Sequence, residues 1–252
     1  MTHNKRATLI PLCLALAFGA NEASAQIAGQ ENRVFVSVNG GYQGQSQDVA
    51  LGSTFTMYGE DGSIDAAQTI RGGALFDLGV SYRVWRNVTA GVSFNRTGSK
   101  SDADLTASVP HPLFGGEPRS ATGTARGLQH SETAVHLQVA YVAPLAGRID
   151  VALFAGPSVF SVGQDLIGDV AISESAAPFN TVSLGNVATT SESKTGIGFN
   201  AGADIAYMVT PRIGAGVFFR YATASVDMPA TGGNVSLDAG GMQFGAGLRM
   251  RF

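Results

Sequence analysis

The eleven C-terminal residues constrain this chain more than any other stretch. They read Met242, Gln243, Phe244, Gly245, Ala246, Gly247, Leu248, Arg249, Met250, Arg251 and Phe252. Every second position is apolar, and the positions between are polar or glycine. A strand sends alternate side chains to opposite faces, so this segment has one greasy face and one small, polar face. A strand of about ten residues with that pattern has the length and chemistry of a lipid-facing barrel strand.

The N-terminus points the same way. Lys5 and Arg6 precede a short apolar run over 8–18, and Ala23-Ser24-Ala25 offers a small-residue cleavage site before Gln26. That is a secretory signal peptide over 1–25, too short to span a bilayer as a helix, and it leaves a mature barrel domain over 26–252. Cys13, the only cysteine, lies inside the signal, so the mature chain has neither disulfides nor a thiolate metal site. The mature chain carries 14 Lys and Arg against 18 Asp and Glu, which gives no basis for nucleic-acid binding. Only 14% of residues are charged, well under the roughly 25% of a soluble protein, and there are 33 glycines. No later run is long enough for a transmembrane helix.

Eight segments alternate with period two: 33–45, 72–84, 88–97, 128–143, one beginning at Ile149, 194–209, one beginning at Arg212, and the C-terminal strand. Between them, 85–87, 144–148 and 210–211 read as tight turns, while 46–71, 98–127, 165–193 and 226–238 read as long polar loops. The expected fold is all-β: an eight-stranded antiparallel up-and-down transmembrane barrel with short periplasmic turns and four long extracellular loops. A soluble sandwich would also alternate. It would not gather its long loops at one end, nor place Tyr82, Tyr141, Tyr207 and Phe252 at one height beside the turns, where they form an interfacial aromatic girdle. Tyr42, Phe94 and Tyr221 suit a second girdle. The loop segments are mostly acidic, and the turn side carries Arg83, Arg86, Arg148, Arg212, Arg249 and Arg251.

The face turned away from lipid holds Asp77, Arg83, Glu132, His136, Asp204, Arg220 and Arg249, together with Asn39, Ser93, Asn95, Gln138, Asn200 and Gln243. Eight strands enclose a lumen that side chains roughly fill, and charges there must be paired or watered. The expectation is a polar network that holds the barrel shut. Gly196, Gly198, Gly202, Gly214, Gly216, Gly245 and Gly247 leave one wall nearly bare, to be filled by Phe35, Phe154 or Phe160, or to leave a narrow cavity. Other motifs dissolve on inspection. Gly196-Ile197-Gly198-Phe199-Asn200-Ala201 opens a strand and not a helix, so it is no dinucleotide turn. His130, Glu132 and His136 share a face but spread over about 20 Å, too far for one metal ion to touch all three. His130 and Ser131 point to opposite faces, which defeats a nucleophile–base pair. His111, between Pro110 and Pro112, reads as loop surface. No catalytic residue, metal or cofactor is expected.

With its signal peptide, strand count, loop asymmetry and terminal Phe252, the mature chain resembles the small eight-stranded bacterial outer-membrane barrels, the group of the OmpA transmembrane domain and the OmpX-like and OmpW-like proteins. The resemblance implies a Gram-negative outer membrane, with lipid and lipopolysaccharide as surroundings. It also implies that Phe244, Leu248, Met250 and Phe252 form the C-terminal signal read by the barrel-assembly machinery. Three functions then compete. One is a non-enzymatic surface barrel serving envelope structure, adhesion or recognition of an unidentified extracellular ligand, with hairpins at 53–58 and 181–190. The second is a narrow OmpW-like conduit, and the third a lipid A-modifying hydrolase.

Overall fold

A computed structural model describes residues 32–230 and 233–252. The signal peptide expected over 1–25 lies outside them. The chain forms eight strands: β1 (Val34–Met57), β2 (Glu60–Trp85), β3 (Val88–Val109), β4 (Arg119–Ala146), β5 (Ile149–Glu174), β6 (Val182–Met208), β7 (Ile213–Ala230) and β8 (Gly233–Arg251). Each pairs antiparallel with its sequence neighbour, and β1 pairs with β8 from Phe35↔Arg251 to Gly44↔Met242, so the sheet closes on itself. Closure removes the sheet edges that a bilayer could not satisfy.

The strands are far longer than the sequence suggests. They run from 18 residues in β7 to 28 in β4, whereas about ten tilted residues cross a bilayer. The segments expected as long loops are therefore mostly sheet. Residues 46–71 are the upper β1–β2 hairpin, turning at Tyr58-Gly59, and 98–127 continue β3 and β4 around a loop at 110–118. Residues 165–193 lie in β5 and β6 except for the turn at 175–181. The expected hairpin at 53–58 coincides with the tip of β1, but 181–190 lies almost wholly on the single strand β6. Connections at the other end are short: 86–87, 147–148 and 209–212.

β3 shows why these extensions form. Its odd residues face in and its even residues face out along the whole strand. From Val88 to Phe94 the outward residues are apolar, and Thr89, Ser93, Asn95 and Thr97 are buried inside. From Arg96 the outward residues become polar: Lys100, Asp102, Asp104, Thr106. From Ala103 the buried inward ones become apolar: Ala103, Leu105, Ala107, Val109. The lower half is polar inside and greasy outside, and the upper half is greasy inside and polar outside. Lipid solvates the first wall and water the second, so the greasy outer belt marks the bilayer span.

Two apolar clusters fill the emergent half, called the crown below. One joins Val49, Ile70, Phe160, Val162, Val226, Met228 and Leu237. The other joins Ala66, Leu105, Leu128, Ile167 and Val170. Burying each large side chain stabilises the crown by ~1.5–3 kcal/mol. Some of the register shifts fall where the two halves meet: β1–β2 shifts between Gln43 and Ser46, and β3–β4 between Ser101 and Ala103. Gly72 sits in the first of these, where a Cβ would meet the Gln43 carbonyl oxygen at 1.8 Å.

The crown wall is not continuous. The β6–β7 ladder stops at Gly198↔Ala224 and the β1–β8 ladder at Gly44↔Met242, while β7 and β8 stay paired with each other beyond these points. Above the belt this hairpin therefore stands free of both neighbouring ladders. On the β1 side two glutamines stand in for backbone pairing: Gln45 donates to the Asp238 carbonyl, and Gln47 donates to the Ser236 carbonyl and accepts from the Asp238 amide. The hairpin folds its buried Val226, Met228 and Leu237 over Phe160 and Ile70.

Candidate functional site: the closed lumen

The inward face of the belt carries one continuous network of side-chain hydrogen bonds. Near the turn end, Arg249 pairs with Asp204 and donates to Asn39 Oδ1 at 2.5 Å. Asn39 donates to Asp77 at 2.9 Å, and Arg220 Nη1 reaches the other Asp77 oxygen at 2.8 Å. Arg220 also donates to Gln243 and Ser93, and its guanidinium lies over the rings of Phe154 and Phe218. Gln243 continues to Gln43, and Gln43 to Glu132 at 2.8 Å. Glu132 meets His130 Nε2 at 3.0 Å, and His130 Nδ1 meets Gln164. The chain of bonds ends through Gln68 at Ser101, beneath the apolar crown.

Burial dictates this completeness. Asp77, Glu132, His136 and Arg220 are all at most 3% exposed. A charge taken out of water is tolerated only when paired and hydrogen-bonded. Glu132 Oε2 takes the Gln43 amide and the backbone N–H of Gly240, and Oε1 faces His130. Gly240 can present that N–H because its φ of +97° is open to glycine.

Of the seven charged lumen residues read from sequence, Asp77, Glu132, Arg220, Asp204 and Arg249 lie on this chain, and His136 joins it through Asn95. Arg83 does not: it stacks on Phe35 at 5.0 Å, and its Nε has no hydrogen-bond partner. Gln43, Gln68, Gln164 and Ser158 complete the network, and the sequence reading missed them. Gln43, Gln164 and Ser158 are polar residues beside other polar groups of the plug, whereas Gln68 lies above the β2 bulge, where the inward phase has changed. The bare glycine wall is filled partly by rings. A Cβ on Gly202 would meet Phe154 at 2.7 Å, and one on Gly245 would meet Phe218, which the sequence reading had not assigned. Phe160 sits higher, edge-on to His136 at 5.6 Å. Below the network, toward the turns, remains a cavity of about 140 Å³ lined by Asp77, Asp150, Asp204, Arg220, Arg249 and Arg251.

The lumen contains one serine–histidine contact, Ser158 Oγ to His136 Nδ1 at 2.7 Å. Asn95 Nδ2 lies 2.8 Å from His136 Nε2, so Nε2 accepts and Nδ1 carries the proton. The imidazole thus donates to Ser158, which also receives the Asn200 amide. That is the wrong tautomer for a base activating a nucleophile. Among the described residues no group of three or more His, Asp, Glu or Cys side chains is placed to hold a metal ion.

On the outer wall, Tyr82, Tyr141, Tyr207 and Phe252 are exposed near the turn end, and Phe244 and Leu248 are exposed along β8. Met250 is half-buried in the same outward phase. At the crown tips, Arg119 is buried. It pairs with Glu174 and donates to the carbonyls of Phe179 (2.8 Å) and Pro110 (2.5 Å). Glu174 also accepts the Tyr58 hydroxyl, and Glu60 accepts the Gly116 amide. These bonds tie the tips of three hairpins together. The Tyr58 hydroxyl, and after it Arg119, hold the Glu174 carboxyl below its ordinary range. His111 is buried, contrary to its reading as loop surface. It stacks on Phe114, and its Nδ1 accepts the amides of Leu113 and Phe114.

A closed antiparallel ring of eight strands with a greasy belt and a polar, filled interior defines an outer-membrane β-barrel protein. No family model matches the chain, and no curated protein matches it. Among solved structures it is similar to Neisserial surface protein A, with 14% identity, a TM-score of 0.43, and coverage of 87% of this chain and 97% of that one. It is also similar to the outer membrane protein OprG from Pseudomonas aeruginosa (11% identity, TM-score 0.44, 89% and 98% covered). A third match is the outer membrane protease OmpT from Escherichia coli (10% identity, TM-score 0.44, 86% and 97% covered). At these identities and scores the likeness assigns no activity.

Proposed function

We propose that this chain is a non-enzymatic surface barrel: the belt anchors it, and the crown does its work in envelope structure or recognition of an extracellular partner. The observation that carries this reading is the double closure of the lumen, by the Asp204–Arg249–Asn39–Asp77–Arg220–Gln243–Gln43–Glu132 network and then by the apolar clusters above it. The free edge of β6 over 182–197 supports it, because an edge unpaired above Gly198 can accept an added strand. The enzymatic alternative lacks support, since His130, Glu132 and His136 are buried and bonded within the plug. Alanine at these three positions leaves lipid A profiles unchanged. Assembly through β8 belongs to the same reading, and deleting Phe252 lowers the yield of membrane-inserted protein.

A narrow conduit is the second reading, favoured by the cavity at the turn end. Planar-bilayer recording of the refolded mature protein separates the two. A silent bilayer is expected, and uniform single-channel steps would remove the closed-plug reading.

A further inference from the structure

Among the described residues, the large apolar side chains that stand exposed lie on the belt or at the turn end, with three exceptions: Tyr58 (53%), Leu113 (60%) and Phe114 (54%). Lipid does not account for these three. The whole upper half of β3 separates Phe94, the last greasy outward residue of that strand, from the 110–118 loop that carries Leu113 and Phe114. All three sit at the crown tips, in water, where a cluster of exposed apolar side chains marks an interaction surface.

The backbone beneath them is fastened on every side. Pro110 and Pro112 flank His111 with fixed φ. The buried His111 accepts the amides of both Leu113 and Phe114 at Nδ1, and its ring stacks on Phe114 with centroids 4.9 Å apart. Glu60 accepts the Gly116 amide, which ties the loop to the β1–β2 turn that carries Tyr58. Arg119 holds the other end through the Pro110 and Phe179 carbonyls and Glu174, and Glu174 accepts the Tyr58 hydroxyl. The polar anchors are used up within this clasp. What it presents to water is a prong of Tyr58, Leu113 and Phe114, already ordered, so a partner meets little of the usual ordering cost.

Charge narrows the partner. The tips, residues 55–62, 110–119 and 174–182, carry Glu60, Asp61, Glu117 and Glu174 against Arg119, and Arg119 is already paired with Glu174. Asp61 and Glu117 are exposed, each three residues from a prong side chain. The tips thus offer no exposed cation to a lipid phosphate, and two copies of them repel each other, which disfavours a membrane or a second barrel as the occupant.

We propose that this prong is the recognition hot spot of the crown, and that its partner is an extracellular protein whose basic surface surrounds an apolar socket. The proposal rests on the surface-barrel reading above. The apolar anchors supply the affinity, and the acids steer the approach. The test pans a random peptide library displayed on phage against the mature protein in lipid nanodiscs. Enriched clones combine Lys or Arg with Leu, Phe or Trp. Their synthetic peptides lose at least about thirtyfold in affinity on Leu113→Ser with Phe114→Ser, as for truncation of a hot spot. His111→Ala keeps every prong side chain but frees the loop, and it binds several-fold more weakly; Phe114→Trp binds as wild type does. Asp61→Lys with Glu117→Lys slows association, and so does salt raised to about 0.5 M. Hydrogen exchange at β3 residues 89–95 verifies that each variant keeps its barrel. Clones without basic residues overturn the proposal, as do clones whose binding survives the loss of Leu113 and Phe114. Flotation of the nanodiscs with phosphatidylcholine vesicles, or pairing of nanodiscs in sedimentation, overturns it where Leu113→Ser with Phe114→Ser abolishes either, because the occupant is then a membrane or a second copy. Clones that map to the β6 edge remove the prong and leave the surface-barrel reading standing. Single-channel steps count against that reading, and the clones alone decide the prong.

Discussion

The two halves of this barrel obey opposite rules. In the belt, Leu137, Val139 and Tyr141 face out at 55–60% exposure, while His136 inside is fully buried. In the crown, Leu105 and Met228 are buried, and Asp104 and Asp227 face out. The same closed backbone serves both, so the solvent outside, and not the strand geometry, decides which residues face in. The belt holds its centre with charge and amide hydrogen bonds, each costly to leave half-made. The crown holds its centre with ordinary apolar packing.

That contrast can be broken at chosen points. Arg220→Ala leaves Asp77 buried beside a lost partner, and the expected loss is ~3–5 kcal/mol in urea unfolding monitored in lipid. Next come matched outward substitutions. Leu137→Arg in the belt costs ~2–4 kcal/mol, whereas Thr106→Arg on the crown changes stability by no more than about 0.5 kcal/mol. Similar losses from both would show that water bathes the whole wall. The smallest effect concerns the tip clasp. Glu174 has a folded-state pKa below its ordinary 4.5, so its contribution is fully present above that value. It fades only as pH falls through the lowered one. Hydrogen-exchange protection at 110–118 and 175–181, taken relative to the unstructured rate at each pH, therefore holds from neutral pH down to about the ordinary carboxylate value and falls below it, while β3 residues 89–95 stay protected. Arg119→Ala quickens the same tips at neutral pH.

The belt was legible because lipid imposes a one-residue-in-two code, and the eight apolar alternations carry it. The crown was not, because the code changes sign. On β3 the apolar residues are even-numbered up to Phe94 and odd-numbered from Ala103, with only polar residues and Gly98 between. A reading that follows one greasy face loses the strand there and sees loop. On β2 a bulge at 72–73 hides the change differently: Ala66 and Ile70 are even-numbered like Phe76 and Leu78, yet face the opposite way. The lumen charges could be listed from inward phase, but their partners depend on height and angle around the ring. Gln43 meets Glu132 and Gln243 from separate strands, 89 and 200 residues away in the chain, and nothing local to Gln43 announces either.

The reversal of polarity along the axis also sets how deep the protein floats. Sinking by two residues would drag Arg96 and Thr133 into hydrocarbon, and rising by two would lift Phe76 and Phe94 into water. Either drift meets a penalty on several strands at once, so the barrel has a waterline written into its own wall.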